Sequence, residues 1–413
     1  MLAGHDFERQ DIKPALPNSW RWVTLGEVCV INPSRPSGLQ RNDNAPTTFV
    51  PMSAVDERLG MITRSEVRSF SEVRKGYTYF AEGDVLFAKI TPCMENGKHA
   101  IAQALLDGFG FGTTEFHVVR PGPEITPEWI HYFLRQPSIL EAATAHFTGA
   151  VGQRRVPDDF LIVLPIPLPP ISDQKRLAAI LQEQIDAVER ARAAAEAQLE
   201  AAKTLPAAYL RAVFKSPEAQ RWARRRLGEI LRLRKDIVHP YDNPNGLATF
   251  VGLEHIESGT GARTGSVAIE MSELNGRKPR FYKNDIVYGY LRPYLNKVWI
   301  ADFDGLCSVD QYVYSVDTSE ADTTFIVWFM RSPDYLERAP IDRTPGQLPR
   351  IRTEEVATVE LNLPPVTEQQ RIAAALNEQM AKSGRLRKSL EAQLDAINKL
   401  PAAFLRKVFS GRL

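Results

Sequence analysis

The chain has 413 residues, too many for one ordinary core at roughly 100 to 200 residues per domain, so two domains or a tandem pair are expected. Apolar residues make up 44% and charged residues 24%, and Lys and Arg exceed Asp and Glu by only 51 to 50, which excludes intrinsic disorder and a uniformly basic nucleic-acid coat. Cys29, Cys93 and Cys307, without CxxC or Cys/His spacing, give neither a disulfide framework nor a zinc site. Met1 to Lys13 is polar and charged with no apolar signal core, and no run reaches the ~18 to 20 apolar residues of a membrane span, so a cytoplasmic protein without a membrane partner is expected.

Short β-branched and aromatic runs open the chain, with Phe80 and Val85-Leu86-Phe87 predicting strands between Gly, Asn and Pro turns. Gly108-Phe109-Gly110-Phe111-Gly112 lacks the following helix and the GK[ST] ending of a nucleotide-binding loop and is read as a β-turn. Pro127 to Leu140 carries helical spacing, with Trp129, Ile130 and Phe133 on one face. Residues 171 to 214 then read as a long helix, with Ser172 as its N-cap and an acidic residue in the first turn. Leu181, Val188, Ala195 and Ala202 lie seven apart, with Leu177, Ile185, Leu199 and Leu205 between, as in a coiled-coil seam.

The same series then repeats. Residues 366 to 409 align without a gap on 171 to 214, and about half the positions are identical. Thr367 is the matching N-cap, and Ile372, Leu376, Met380, Leu386, Leu390, Leu394, Ile397 and Leu400 continue the seam. Pro206 and Pro401 are expected to interrupt the two helices at the same place, since proline removes a backbone donor and clashes with the preceding turn. More loosely, Trp20 with Leu25-Gly26-Glu27 matches Trp222 with Leu227-Gly228-Glu229, and Gly83-Asp84-Val85-Leu86-Phe87 matches Asn284-Asp285-Ile286-Val287-Tyr288. Phe281-Tyr282, Ile286 to Tyr288 and Tyr312 to Tyr314 predict strands, and Thr323 to Leu336 a helix with Phe325, Trp328 and Phe329 on one face. Trp20, Trp129, Trp222 and Trp328 sit on apolar faces and are read as core. The fold class is α+β, with two similar α/β domains over residues 1–170 and 215–365 and two helical segments over 171–214 and 366–413. The Ala-rich face of the first tail and its balanced charge suit helix packing, so both tails are read as protein interfaces, through Leu177, Leu181, Val188, Leu199, Ile372, Leu376, Leu390 and Leu394.

Catalytic signals are missing. His5, His99, His117, His131, His146, His239 and His255 form no HExxH or triad-like pattern and are read as scattered surface and core residues. No Asn-Pro-Pro-aromatic motif of an amino-methyltransferase occurs, and Pro157-Asp158-Asp159 lacks the Glu-x-Lys of a metal-dependent nuclease. No catalytic residue, metal site or cofactor is therefore assigned to this chain. What remains are basic, amide-bearing clusters at matching positions. Lys89, Thr91, Asn96 and Lys98 follow the strand ending at Phe87, and Gly149 to Arg155 forms a glycine-opened loop with Gln153, Arg154 and Arg155. The second half has Tyr290, Arg292, Tyr294, Asn296 and Lys297, then Gln347, Arg350 and Arg352. Arg, Lys, Asn and Gln read G and A edges in the major groove, and glycines let the backbone approach phosphates. Pro92/Pro293, Lys98/Lys297 and the pair Gln153/Gln347 with Arg155/Arg350 recur while intervening residues differ, as two surfaces reading two different sequences would require. Arg155→Ala and Arg350→Ala are each expected to weaken DNA binding.

Gly83 to Lys98, the helix entries Pro167 to Arg176 and Leu363 to Arg371, and the twice-used Leu-Pro-Ala-Ala-aromatic-Leu-Arg tail make the chain resemble the specificity subunit of a Type I restriction-modification system over nearly its whole length. The resemblance implies two target recognition domains, each reading half of a bipartite double-stranded DNA target, separated by two antiparallel spacer helices. It also implies two methyltransferase subunits docked on the spacer and binding S-adenosylmethionine, with motor and nuclease subunits where the system restricts. About 33 spacer residues at ~1.5 Å each would span roughly 50 Å, a ruler for half-sites a little over one DNA turn apart. The competing readings are a stand-alone enzyme, a coiled-coil scaffold with paired ligand-binding domains, and the specificity subunit of a methylation-only system.

Overall fold

The computed structural model describes residues 16–150, 153–242, 244–342 and 346–412. The Met1 to Lys13 segment with His5, and Val151 and Gly152 of the glycine-opened loop, lie outside the described residues. The chain divides into two compact units, Met1–Ala194 with Gln393–Leu413, and Ala195–Ala392. This division cuts each long helix in two rather than setting it apart as a segment of its own.

In the first unit Val85–Ala88 is the centre of an antiparallel sheet, paired with Phe116–Pro121 on one side and His99–Ile101 on the other; Cys29–Ile31 closes the far edge. All four residues of the central strand are buried, and the pleat splits them between two cores. Val85 and Phe87 join Trp129, Ile130 and the helices, while Leu86 and Ala88 join Val118, Phe80 and Val50 beneath a second sheet. That sheet runs Glu66–Ser69, Pro46–Val50, Phe109–Gly112, Thr78–Ala81, its middle pair parallel. The second unit repeats the plan with Leu231–Leu233, Gln311–Val316, Ile286–Gly289 and Val298–Ile300, and with a five-stranded partner sheet around the parallel pair Leu247–Val251 and Gly305–Cys307. Ile286 and Tyr288 face one core and Val287 the other. The α+β class and its tandem repetition thus hold.

Gly108 to Gly112 is not a turn: Phe109–Gly112 is a central strand, entered from a short 3-10 turn. The glycines are there for close approach. A Cβ on Gly110 would lie 2.9 Å from the Phe80 ring and 3.1 Å from the Thr48 carbonyl. The expected single helices are each two. Pro127–Leu134 and Pro137–Ala145 are separated by Gln136 (ψ 133°), and Thr323–Met330 and Pro333–Arg338 by Ser332 (ψ 152°), because the residue before a proline is pushed to extended backbone. Trp129 and Trp328 are buried and Trp20 and Trp222 half-buried, as core residues.

The long helices run Ile171–Phe214 and Val366–Phe409. Their caps lie earlier than Ser172 and Thr367: the carbonyls of Pro170 and Pro365 accept the first helical bonds, from Gln174 and Gln369. Both glutamines are fully buried. Gln174 accepts from the Thr126 N–H (2.9 Å) and donates to the carbonyls of Glu124 and Pro169 (both 2.9 Å). Gln369 accepts from the Asp322 N–H (2.8 Å) and donates to Glu320 and Pro364. One side chain per unit thus stitches a long helix to the helical turn beside the sheets. Pro206 and Pro401 do not interrupt the helices, which continue for two more turns. Burial after each proline offsets its cost: Leu210 and Phe214 enter the second unit's core, and Leu405, Val408 and Phe409 the first unit's. In the first unit the segments are antiparallel, since Leu177 and Leu181 share a core with Leu405 and Val408 while Arg192 Nε donates to Asn398 at 2.7 Å. Leu386 and Leu400 are exposed and leave the expected seam.

The residues assigned to a subunit interface point inward. Leu177 and Leu181 belong to the first core, Ile372 and Leu376 to the second, Val188, Leu199 and Leu390 are buried, and Leu394 is half-buried. Periodicity found the apolar stripe, but folding within the chain uses it. All three cysteines are free, and among the described residues no helix is long and apolar enough to cross a membrane.

Candidate nucleic-acid interface

Each unit brings its two basic clusters together by the same backbone bonds. In the first, Thr91 N–H donates to the Arg154 carbonyl (3.1 Å) and Val156 N–H to the Lys89 carbonyl (2.9 Å). In the second, Arg292 N–H donates to Pro349 (2.7 Å) and Ile351 N–H to Tyr290 (3.3 Å). The loop behind is closed by Arg155 pairing with Thr148, and by Arg350 pairing with Asp342. The result is a platform of two loops beyond the end of the central strand. The register makes Arg350 the equivalent of Arg155 but sets Leu348, not Gln347, opposite Gln153, so the expected glutamine pair is not a true equivalence.

Several residues singled out for DNA serve the platform itself. The Lys98 ammonium is held by the Val55 carbonyl (2.8 Å) and the Glu57 carboxylate (3.0 Å), and Lys297 by the Leu253 carbonyl (2.6 Å). Each lysine clamps its loop over the 3-10 turn Met52–Ala54 or Leu253–His255. Asn296 is buried in the left-handed region (φ 52°) and donates to the Arg331 carbonyl at 2.6 Å. The Thr91 hydroxyl donates to Glu95. Arg155 is gripped by Glu115 through Nε (2.9 Å) and Nη2 (2.8 Å), and its Nη1 donates to the Gln153 carbonyl. That pair holds the Glu115 carboxyl below its usual range. Asn96, Gln153, Arg154, Arg292, Tyr294, Gln347 and Arg352 are exposed, and Lys89, Tyr290 and Arg350 half-buried. Arg352 also starts a helical turn, its N–H donating to Glu355 at 2.6 Å.

Behind the platforms the side chains differ. Lys89 and His117 stand where the second unit has Tyr290 stacked on Tyr312, ring centroids 4.3 Å apart. Next to Lys89 a groove of about 400 Å³ is lined by Asn32, Arg35, Arg74, Tyr77 and Tyr79. Sequence reasoning passed over these residues. The Arg74-Lys75 pair followed by Tyr77 and Tyr79 at strand alternation was the available signal, since alternate residues share one face.

Cations, amides and aromatic rings at one end of each sheet are the donors and stacking surfaces that nucleic acid requires. Residues 17–201 match the Type I restriction modification DNA specificity domain. The match thus covers the first unit's sheets and runs into the first long helix. Over 170 residues the chain is 41% identical to the Type I restriction enzyme EcoEI specificity subunit of Escherichia coli, covering 41% of this chain and 28% of that protein. It is 39% identical to the EcoAI subunit of the same organism over 163 residues (39% and 27%), and 30% identical to the EcoDI subunit over 192 residues (46% and 42%). The matched stretches therefore span between about a quarter and two fifths of these relatives. A chain from a solved type I R-M system superimposes over 97% of this chain and 100% of its own, with a TM-score of 0.78 at 22% identity. The HsdS subunit from Thermoanaerobacter tengcongensis does so over 96% and 98%, with a TM-score of 0.67 at 22% identity. Beyond the matched residues 17–201, these two solved chains share the fold of both units.

Proposed function

We propose that the chain is the DNA sequence-recognition subunit of a Type I restriction-modification complex, each unit reading one half of a bipartite double-stranded target. The observation that carries this reading is the repeated platform: one set of backbone bonds, built twice, displaying Lys89, Gln153 and Arg154 in one unit and Tyr290, Arg292 and Gln347 in the other. A conserved frame with exchanged side chains is what two unlike half-sites demand. The chain itself is non-catalytic and works in the cytoplasm. Two methyltransferase subunits carry S-adenosylmethionine and meet the exposed faces of the long helices, the buried stripe being already used; motor and nuclease subunits join where the system restricts. A methylation-only system would use this chain in the same way.

The test is genome-wide mapping of methylated adenine in cells with and without the chain, together with its neighbouring methyltransferase. A bipartite motif that disappears with the chain, and that changes in one half only when Arg292 and Gln347 are replaced by Ala, is expected. A methylation pattern indifferent to the chain would remove the recognition reading and leave the scaffold.

A further inference from the structure

Resting on the DNA-recognition reading, we propose that the arginine repeated at the platform has diverged in role: Arg350 is a specificity-determining contact of the second unit, whereas Arg155 is a latch held by Glu115. The two arginines occupy equivalent backbone positions, each in an isolated bridge with the loop that follows the central strand, Ile90 with Arg155 and Leu291 with Arg350. The acidic residues beneath them are equivalent as well, because Lys89 N–H donates to the Glu115 carbonyl (2.9 Å) and Tyr290 N–H to the Asp310 carbonyl (3.2 Å).

The side chains part there. Glu115 takes both Nε and Nη2 of Arg155, the same fork that would read a guanine edge, and the Gln153 carbonyl takes Nη1. Asp310 is one methylene shorter and turns to the Ser308 hydroxyl (3.4 Å). Among the described residues no side chain or carbonyl takes the Arg350 guanidinium, and its Nε is buried without a partner. A buried donor left unmade is costly, so the half-buried side chain gains by swinging out to an acceptor brought by a ligand. The guanidinium also lies near the phenols of the stacked Tyr290 and Tyr312, which hold the strand behind it in place. In the first unit the exposed cation is the neighbouring Arg154, whose equivalent in the second unit is Pro349. The cation offered to DNA has shifted by one residue between the repeats.

The experiment uses the full chain assembled with its methyltransferase subunits, and duplexes carrying either the methylated motif or random sequence. Arg350→Ala should weaken motif binding about 5- to 150-fold and relax the motif in one half only. Asp310→Glu, which leaves the charge unchanged, should weaken it comparably by rebuilding the latch in the second unit, and the double variant should lose no more than either single one. Arg155→Ala should lower the melting temperature while binding by the folded complex stays within about twofold; Arg154→Ala should affect the other half of the motif. Equal losses for Arg155→Ala and Arg350→Ala, or no loss in either Arg350→Ala or Asp310→Glu, would overturn the inference. A parent complex that binds motif and random duplexes alike would instead overturn the recognition reading on which it rests.

Discussion

Two aspartates show how one residue can be kept while its partner moves. Asp84 and Asp285 are buried at equivalent positions of the repeat, and each accepts a backbone N–H from the preceding turn and a two-point grip from an arginine. The arginines are not equivalent: Arg120 stands in Phe116–Pro121, whereas Arg234 follows Leu231–Leu233, where the first unit has Asn32. An alignment marks Asp84 and Asp285 but cannot supply their partners. Glu115 and Arg155, 40 residues apart, were hidden for the same reason. His99 offers a test at this scale. It is fully buried, stacked on Phe87 at 4.4 Å, close to the charge of Arg135 and to the buried His131, and neither ring nitrogen makes a well-aligned hydrogen bond. Burial pushes its pKa down to about 3, whereas the unfolded imidazole titrates near 6.5. Below 6.5 the unfolded chain therefore takes up a proton that the folded one refuses, and stability falls as the pH drops from 6.5 towards 3. Replacing His99 by Leu should flatten that slope without loss at pH 8, as read from melting temperatures across the range. An equally steep slope in the variant would show that His131 and the carboxylates set it alone.

At the scale of elements, the gapless repeat marked both long helices to the residue, while proline marked a break that does not occur. Local cost predicts an interruption, but the cost is a few kcal/mol and the two turns beyond Pro206 bury Leu210 and Phe214 against Phe325 and Phe329. Tertiary burial therefore overrides propensity. Pro206→Ala should then stabilise the protein by about 1–3 kcal/mol, measured by urea unfolding, because the helix is already formed on both sides and regains a backbone donor. A destabilised variant would mean that the ring itself is needed where it stands. The strand through Gly110 and Gly112 was misread for the opposite reason. Glycine signals a turn when nothing else is known, and only the packed Phe80 ring shows that the missing Cβ is a matter of space.

At the scale of the molecule, tandem organisation was legible because sequence was duplicated, and the α+β class because strand and helix periods alternate. The path of the chain was not, since the first unit needs residues from both ends of the described sequence. Phe409 packs on Trp129 with ring centroids 4.4 Å apart and on Phe133 at 5.4 Å, and Leu405 and Val408 lie in the same core. Removing residues 393–413 should therefore open the first unit while the second, whose core clusters contain none of them, keeps its protection. Protease digestion followed by mass mapping would report this as early cuts in 16–194 and late cuts in 195–392; the reverse order would contradict the division. Each large aromatic lost from such a core costs about 3–5 kcal/mol, a large share of a typical domain's stability.

The same division carries a consequence for the ribosome. Ala195–Ala392 is one uninterrupted stretch, so its contacts are complete once that stretch has emerged. The unit made first must wait for residues 393–413, holding Trp129 and its neighbours uncovered throughout translation of everything between. The order of synthesis and the order of completion are therefore opposite, and a nascent chain whose residue 392 has just cleared the ribosome would present a finished second unit behind an unfinished first one.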